Sequence, residues 1–136
     1  MRSSKGFTLM EIVVVLMIIG VVAGFYFPSF TVPSEKAWAA NAQNNLLAIY
    51  AAQQNYKSNN GSYATPATLS AINSALSLSI QDDGTYSYTC SSGVTCTATR
   101  STVSTTNIVL TLASVINLSG SGTANPKCNS VSYYCP

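Results

Sequence analysis

Glu11 follows Gly6-Phe7-Thr8-Leu9-Met10 and opens an apolar run that carries no further charge until Glu35. On insertion scales an Asp at mid-bilayer costs roughly 2.5 to 3.5 kcal/mol, and a Glu near a helix end costs less. Such a carboxylate is either merely tolerated at headgroup depth or kept there for a specific job. Catalysis is not supported elsewhere. The chain has no His to activate a hydroxyl, no glycine-rich phosphate loop and no separated carboxylate pair, since Asp82 and Asp83 are adjacent and read as a turn. The four cysteines, Cys90, Cys96, Cys128 and Cys135, include no C-x-x-C spacing, so neither a zinc site nor a redox-active dithiol is expected. They fit two disulfides in an oxidising compartment. Three pairings are open. Local closure, Cys90–Cys96 and Cys128–Cys135, is the simplest, each bridge stabilising by roughly 2 to 3 kcal/mol. No enzyme, metal or cofactor is anticipated.

The elements that position these groups follow from periodicity. Phe7 to Phe27 spans 21 residues, about 32 Å of helix against a hydrocarbon layer of about 30 Å. Arg2 and Lys5 precede the run and would hold the N-terminus in the cytoplasm, so the remainder is exported. From Glu35 to Tyr56 the chain lacks Gly and Pro. Ala39, Ala42, Leu46 and Ile49 mark one helical face that Gln53 interrupts, and Asn60-Gly61 supplies the stop. Unbroken, Phe7 to Asn59 would make a rod of about 80 Å, with Pro28 as a kink and Gly20 and Gly24 as a point of close helix approach. Thr65-Pro66 reads as the start of a short helix carrying Leu69, Ile72 and Leu76. Strands are expected over 85–90, 94–100 and 108–115, with Ser91-Ser92-Gly93 as a hairpin loop and tyrosines covering the sheet while their hydroxyls stay wet. The tail from Ser119 to Pro136 reads as irregular. The fold class is α+β: a long N-terminal helix, first membrane-spanning and then amphipathic, packed on a small antiparallel sheet.

Composition narrows the partners. Charged residues are 7% of the chain, and the formal net charge of +2 is accounted for by Arg2 and Lys5. No basic patch is left in the exported part, so strong nucleic-acid binding is not expected.

The N-terminal third resembles the type IV pilin superfamily, of pilins and pseudopilins. The residues that carry the resemblance are the basic leader ending in Lys5-Gly6, then Phe7-Thr8-Leu9-Met10-Glu11-Ile12, and the apolar helix with Gly20 and Pro28. The resemblance implies a leader over 1–6, a hydrophobic membrane and filament-core helix over 7–34, and a periplasmic or extracellular globular domain over 35–136. It implies cleavage between Gly6 and Phe7 by a prepilin peptidase, with N-methylation of Phe7. Glu11 would then pair with the amine of a neighbouring subunit's Phe7, while Gly20, Gly24 and Pro28 shape the helix for assembly. The implied partners are further pilin subunits, the peptidase and an assembly platform in the inner membrane. The chain would lie in that membrane as a single-pass precursor and then enter a surface filament serving motility, adhesion or DNA uptake. One alternative is a pseudopilin of a type II secretion system. The major pseudopilin carries calcium-binding acidic residues in its C-terminal loops, and nothing acidic follows Asp83 here. Another is a secreted disulfide domain released by cleavage after Ala37-Trp38-Ala39, for which the apolar run is too long.

Overall fold

The computed structural model describes residues 6–26, 31–91, 94–118, 124–129 and 135. The chain divides into two compact units, Met1–Pro33 and Ser34–Pro136. Three helices, α1 (Leu9–Tyr26), α2 (Thr31–Asn60) and α3 (Leu69–Leu76), precede four strands, β1 (Tyr86–Ser91), β2 (Thr95–Arg100), β3 (Asn107–Thr111) and β4 (Lys127–Asn129). The fold class is α+β, with a long N-terminal helical region and a small antiparallel sheet.

In the first unit α1 is apolar around its whole circumference, with Glu11 its only charge. A helix of this kind has no solvent face, so it requires lipid or other helices around it. Its 18 residues measure about 27 Å. That is shorter than the span expected from the sequence, and among the described residues no helix is long and apolar enough to cross a membrane. Pro28, the expected kink, lies outside the described residues, and so does the continuity of the rod around it.

The second unit is built on α2. Pro33 occupies its first turn, where a missing N–H costs little. Gly61, at φ 78°, ends it, its N–H reaching the Lys57 carbonyl at 2.8 Å. The face Ala39, Ala42, Leu46, Ile49 is buried, and these residues share one core with Tyr86, Tyr88, Cys90, Cys96, Ala98, Ile108, Leu110 and Leu112 of the sheet side. Gln53 does not interrupt that face; it is wholly buried on it. Its Nε2 donates to the Ala64 carbonyl at 2.8 Å and its Oε1 accepts from the Ala64 N–H at 2.9 Å. A primary amide reproduces the donor–acceptor pair of a peptide, so Gln53 satisfies buried backbone as a strand neighbour would.

The sheet is an antiparallel meander in the order β1-β2-β3-β4, and period-2 alternation sends Tyr86, Tyr88 and Cys90 inward from β1. Both tyrosine side chains are buried, contrary to the expectation of wet hydroxyls. Cys90 lies opposite Cys96 across β1 and β2 and is bonded to it. Cys128 of β4 is bonded to Cys135.

Three elements differ from the sequence reading. Helix α3 starts one turn late: Thr68, not Thr65, caps it, accepting from the Ala71 N–H at 3.3 Å. The reason lies in Pro66, whose carbonyl takes the Cys90 N–H at 2.9 Å and so runs along the outer edge of β1. Strand β3 stops at Thr111 rather than reaching Val115, because the Asn125 side chain takes over the ladder there. Its Oδ1 accepts from the Thr111 N–H at 2.8 Å and its Nδ2 donates to the Thr111 carbonyl at 2.9 Å. Finally, the tail contains β4, a three-residue strand in register with β3 through Ile108 and Cys128. The expected loop residues Ser92 and Gly93 lie outside the described residues.

Candidate functional site

Gly6, Phe7 and Thr8 precede α1 in non-helical conformation, and Gly6 and Phe7 are exposed, Phe7 at 79%. A Cβ at Gly6 would meet nothing within 4 Å. The Gly6–Phe7 peptide bond is therefore outside any helix ladder and open to a protease.

Glu11 sits in the first turn of α1, and its backbone N–H donates to Thr8 Oγ1 at 3.3 Å and to the Thr8 carbonyl at 3.0 Å. Thr8 is thus the N-cap and Glu11 the third helical residue. Thr-x-x-Glu is the capping-box pattern, and a carboxylate at this position also faces the positive end of the helix dipole. The Thr8 cap was not anticipated from the sequence, although the spacing of Thr8 and Glu11 carried it. The carboxylate is exposed in the single chain, as are the apolar side chains described along α1. Gly20 and Gly24 have open space where a side chain would project, so one face of α1 can admit another backbone closely.

In the second unit the strongest polar feature is one the sequence did not disclose. Arg100, at the inward end of β2, pairs with Glu35 near the start of α2 through two bonds, Nε to Oε2 at 3.0 Å and Nη2 to Oε1 at 3.1 Å. Its Nη1 donates to the Thr85 carbonyl at 2.7 Å. The guanidinium lies 4.7 Å from the Trp38 ring centroid and 5.7 Å from that of Tyr86. The Arg100 side chain is 6% exposed and that of Glu35 18%. Two-pronged geometry plus aromatic stacking is the arrangement in which Arg cannot be replaced by Lys. The clamp fixes the beginning of α2 to the sheet. The one hint in the sequence was that Arg100 falls on the buried phase of the β2 alternation.

Beside it, Asn45 Nδ2 donates to the Tyr88 hydroxyl at 2.9 Å. Burial pushes the Tyr88 phenol above its ordinary value of 10.0, the Asn45 bond opposes that shift, and the negative charge of Asp83 adds to it. Asp83 is shifted the other way: the Thr85 hydroxyl and N–H, at 2.6 and 2.9 Å, hold its carboxyl below 3.8. Asp82 and Asp83 build successive side-chain turns onto Gly84 and Thr85, so they form a turn and not an acid–base pair. Because folded Tyr88 holds its proton more tightly than the unfolded chain does, its contribution is complete below pH about 10 and lost as pH rises through the folded value. Ultraviolet titration of the detergent-solubilised chain should therefore show a late-ionising phenol component that loses one phenol's amplitude in Tyr88→Phe. Loss of that amplitude from the early part of the curve would refute this. Among the described residues no three His, Cys, Asp or Glu side chains come together as a metal site.

Residues 1–27 match the prokaryotic N-terminal methylation motif. Type II secretion system core protein G of Vibrio cholerae serotype O1 is 38% identical over 65 residues, covering 48% of this chain and 44% of that protein. The protein of the same name from Escherichia coli K12 is 41% identical over 61 residues, covering 45% and 42%. Type IV major pilin protein PilA of Myxococcus xanthus is 34% identical over 61 residues, covering 45% and 28%. The chain spans less than half the length of each of these relatives. No solved structure matches it significantly.

Proposed function

We infer that the chain is a type IV pilin-superfamily protein and a structural subunit of a type IV pilus, a reading supported by the N-terminal methylation motif at residues 1–27 and by the similarity of its N-terminal part to core protein G and to PilA. The single observation that carries this reading is the joining of an exposed Gly6–Phe7 bond to a helix that is apolar on every side and bears one carboxylate, Glu11, in its first turn. Prepilin peptidase cuts between Gly6 and Phe7 and methylates the new amine. The cut removes the Arg2 and Lys5 charges that hold the leader in the cytoplasm. The precursor is anchored in the inner membrane by the apolar segment, and an assembly platform lifts it into a filament whose core is a bundle of α1 helices.

In that bundle Glu11 pairs with the Phe7 amine of an adjoining subunit. A buried ion pair of this kind fixes axial register more than it adds stability, because a misplaced subunit strands a charge in an apolar medium. Gly20 and Gly24 admit the neighbouring helix, and Pro28 accommodates bending. The role of the chain is structural, not catalytic.

The Cys128–Cys135 loop and the absence of any acidic residue after Asp83 favour a pilin. The similarity to core protein G supports a second reading, a pseudopilin of a type II secretion system. Mass spectrometry of the sheared surface fraction separates them. A pilin is abundant there and begins at methylated Phe7. A pseudopilin carries the same methylated terminus but stays in the envelope. A chain that begins at Met1 or just after Ala39 overturns both.

A further inference from the structure

Strand β1 is an edge of the sheet, and its outer side is only partly covered. Successive strand residues turn their main-chain groups to opposite sides. The Cys90 N–H turns outward, to the Pro66 carbonyl at 2.9 Å. Tyr88 shares that phase and turns its N–H and C=O outward, while Ser87 and Thr89 face β2. Neither main-chain group of Tyr88 has a partner among the described residues. Nor has the Cys90 carbonyl, since Pro66 has no N–H to return. Tyr88 and Cys90 are 5% and 3% exposed, and buried main-chain groups without a partner are rare. Past Pro66 the chain enters α3 and leaves a cleft of about 300 Å³ beside β1, with Ala67, Thr68 and Leu69 across from Tyr88. Asp82, in the turn that leads into β1, is the only charged residue lining it.

We propose that this cleft takes an extended peptide bearing a lysine or arginine, bound as an added strand on β1. The outward N–H and C=O of Tyr88 can exchange both bonds with a single residue of an antiparallel neighbour. Such main-chain pairing gives affinity for any extended peptide, and pockets for alternate side chains give selectivity. Pro66 already supplies one main-chain acceptor to this edge, and the peptide continues the ladder that a proline cannot. One row of its side chains meets Ala67 and Leu69. A cation on it reaches the Asp82 carboxylate, of which only Oδ1 is engaged, by the Gly84 N–H at 2.9 Å.

This site does not depend on filament formation, and its test uses the isotopically labelled full chain in detergent, followed by amide hydrogen exchange in NMR spectra. In the free chain the Tyr88 amide should exchange about tenfold faster, or more, than that of Thr89, which is held in the ladder to β2. The probe is a short acetylated and amidated peptide of alternating valine and lysine. At saturation it should slow the Tyr88 amide about tenfold or more, and the same peptide with N-methylated main-chain amides should bind about tenfold more weakly. Asp82→Asn keeps an acceptor for the turn and should weaken binding about threefold at low salt. Ala67→Trp, at an exposed position, fills the cleft and should abolish binding. Equal binding of the N-methylated peptide, an unchanged Tyr88 amide, or full binding by Ala67→Trp overturns the proposal. Protection of Tyr88 that is present without peptide and grows with protein concentration would assign the edge to a second copy, and overturns it too.

Discussion

Glu11→Leu is expected to abolish surface filaments while the processed subunit accumulates in the membrane. In the proposed bundle of apolar helices the amine of each Phe7 would be a buried cation, and removing its carboxylate would leave it unpaired at a cost of several kcal/mol per subunit. Over many identical contacts even a fraction of that prevents growth. Capping offers a rival explanation, because Thr8 and Glu11 have the capping-box spacing and the Glu11 carboxylate could serve only to start α1. Two further variants separate the roles. Gln is as acceptable as Glu at the third position of a capping box, so Glu11→Gln keeps the cap and removes the charge. Thr8→Ala removes the cap, worth about 1 kcal/mol, and keeps the charge. Pairing predicts that Glu11→Gln loses filaments at least tenfold and Thr8→Ala far less, counted by electron microscopy of sheared material. Normal fibres from Glu11→Gln would leave capping as the whole explanation and end the pairing argument.

The second large effect concerns Arg100. Truncating it to Ala leaves Glu35 without its cation, uncovers the faces of Trp38 and Tyr86, and removes one of two donors to the Thr85 carbonyl, which keeps the Ser101 N–H at 3.0 Å. Breaking one side of a largely buried pair costs about 3 kcal/mol or more, which in a unit of this size lowers Tm by roughly 15 °C. Glu35→Gln keeps the hydrogen-bonding shape but not the charge and should cost less. The instructive variant is Glu35→Leu/Arg100→Met. If desolvation dominates, the double replacement recovers most of the stability lost in Arg100→Ala, because no charge remains stranded. Thermal unfolding followed by circular dichroism decides the matter. An Arg100→Ala domain as stable as the parent would mean that the clamp is ornamental.

The helices were legible because their signals are local. Ala39, Ala42, Leu46 and Ile49 repeat at helical spacing, and Gly61 at the stop adopts the positive φ that its type suggests. Alternation likewise exposed β1 and β2. What escaped were decisions made between distant segments. Thr65 and Thr68 are equally good caps by type, and the choice between them falls to the bond from Cys90 to Pro66. Val115 has strand propensity, yet β3 ends where Asn125 intervenes from fourteen residues away. A three-residue strand such as Lys127–Asn129 has too few positions to show a period at all. For the assembly site the residue types were readable, but the capping role of Thr8, whose Oγ1 accepts from the Glu11 N–H, was not drawn from the Thr-x-x-Glu spacing. The Glu35–Arg100 clamp joins residues 65 apart, and one sequence offers no way to connect them.

Gln53, Asn73 and Asn125 each hold a distant backbone segment with both arms of an uncharged amide: Ala64, Ile80 and Thr111 respectively. None of these clasps has a proton to lose near neutrality, and none gathers counterions. Their grip is the same in fresh water and in brine, at pH 5 and at pH 9. For a domain displayed beyond the inner membrane, as proposed, these three loops would stay fastened as salinity and acidity change around it.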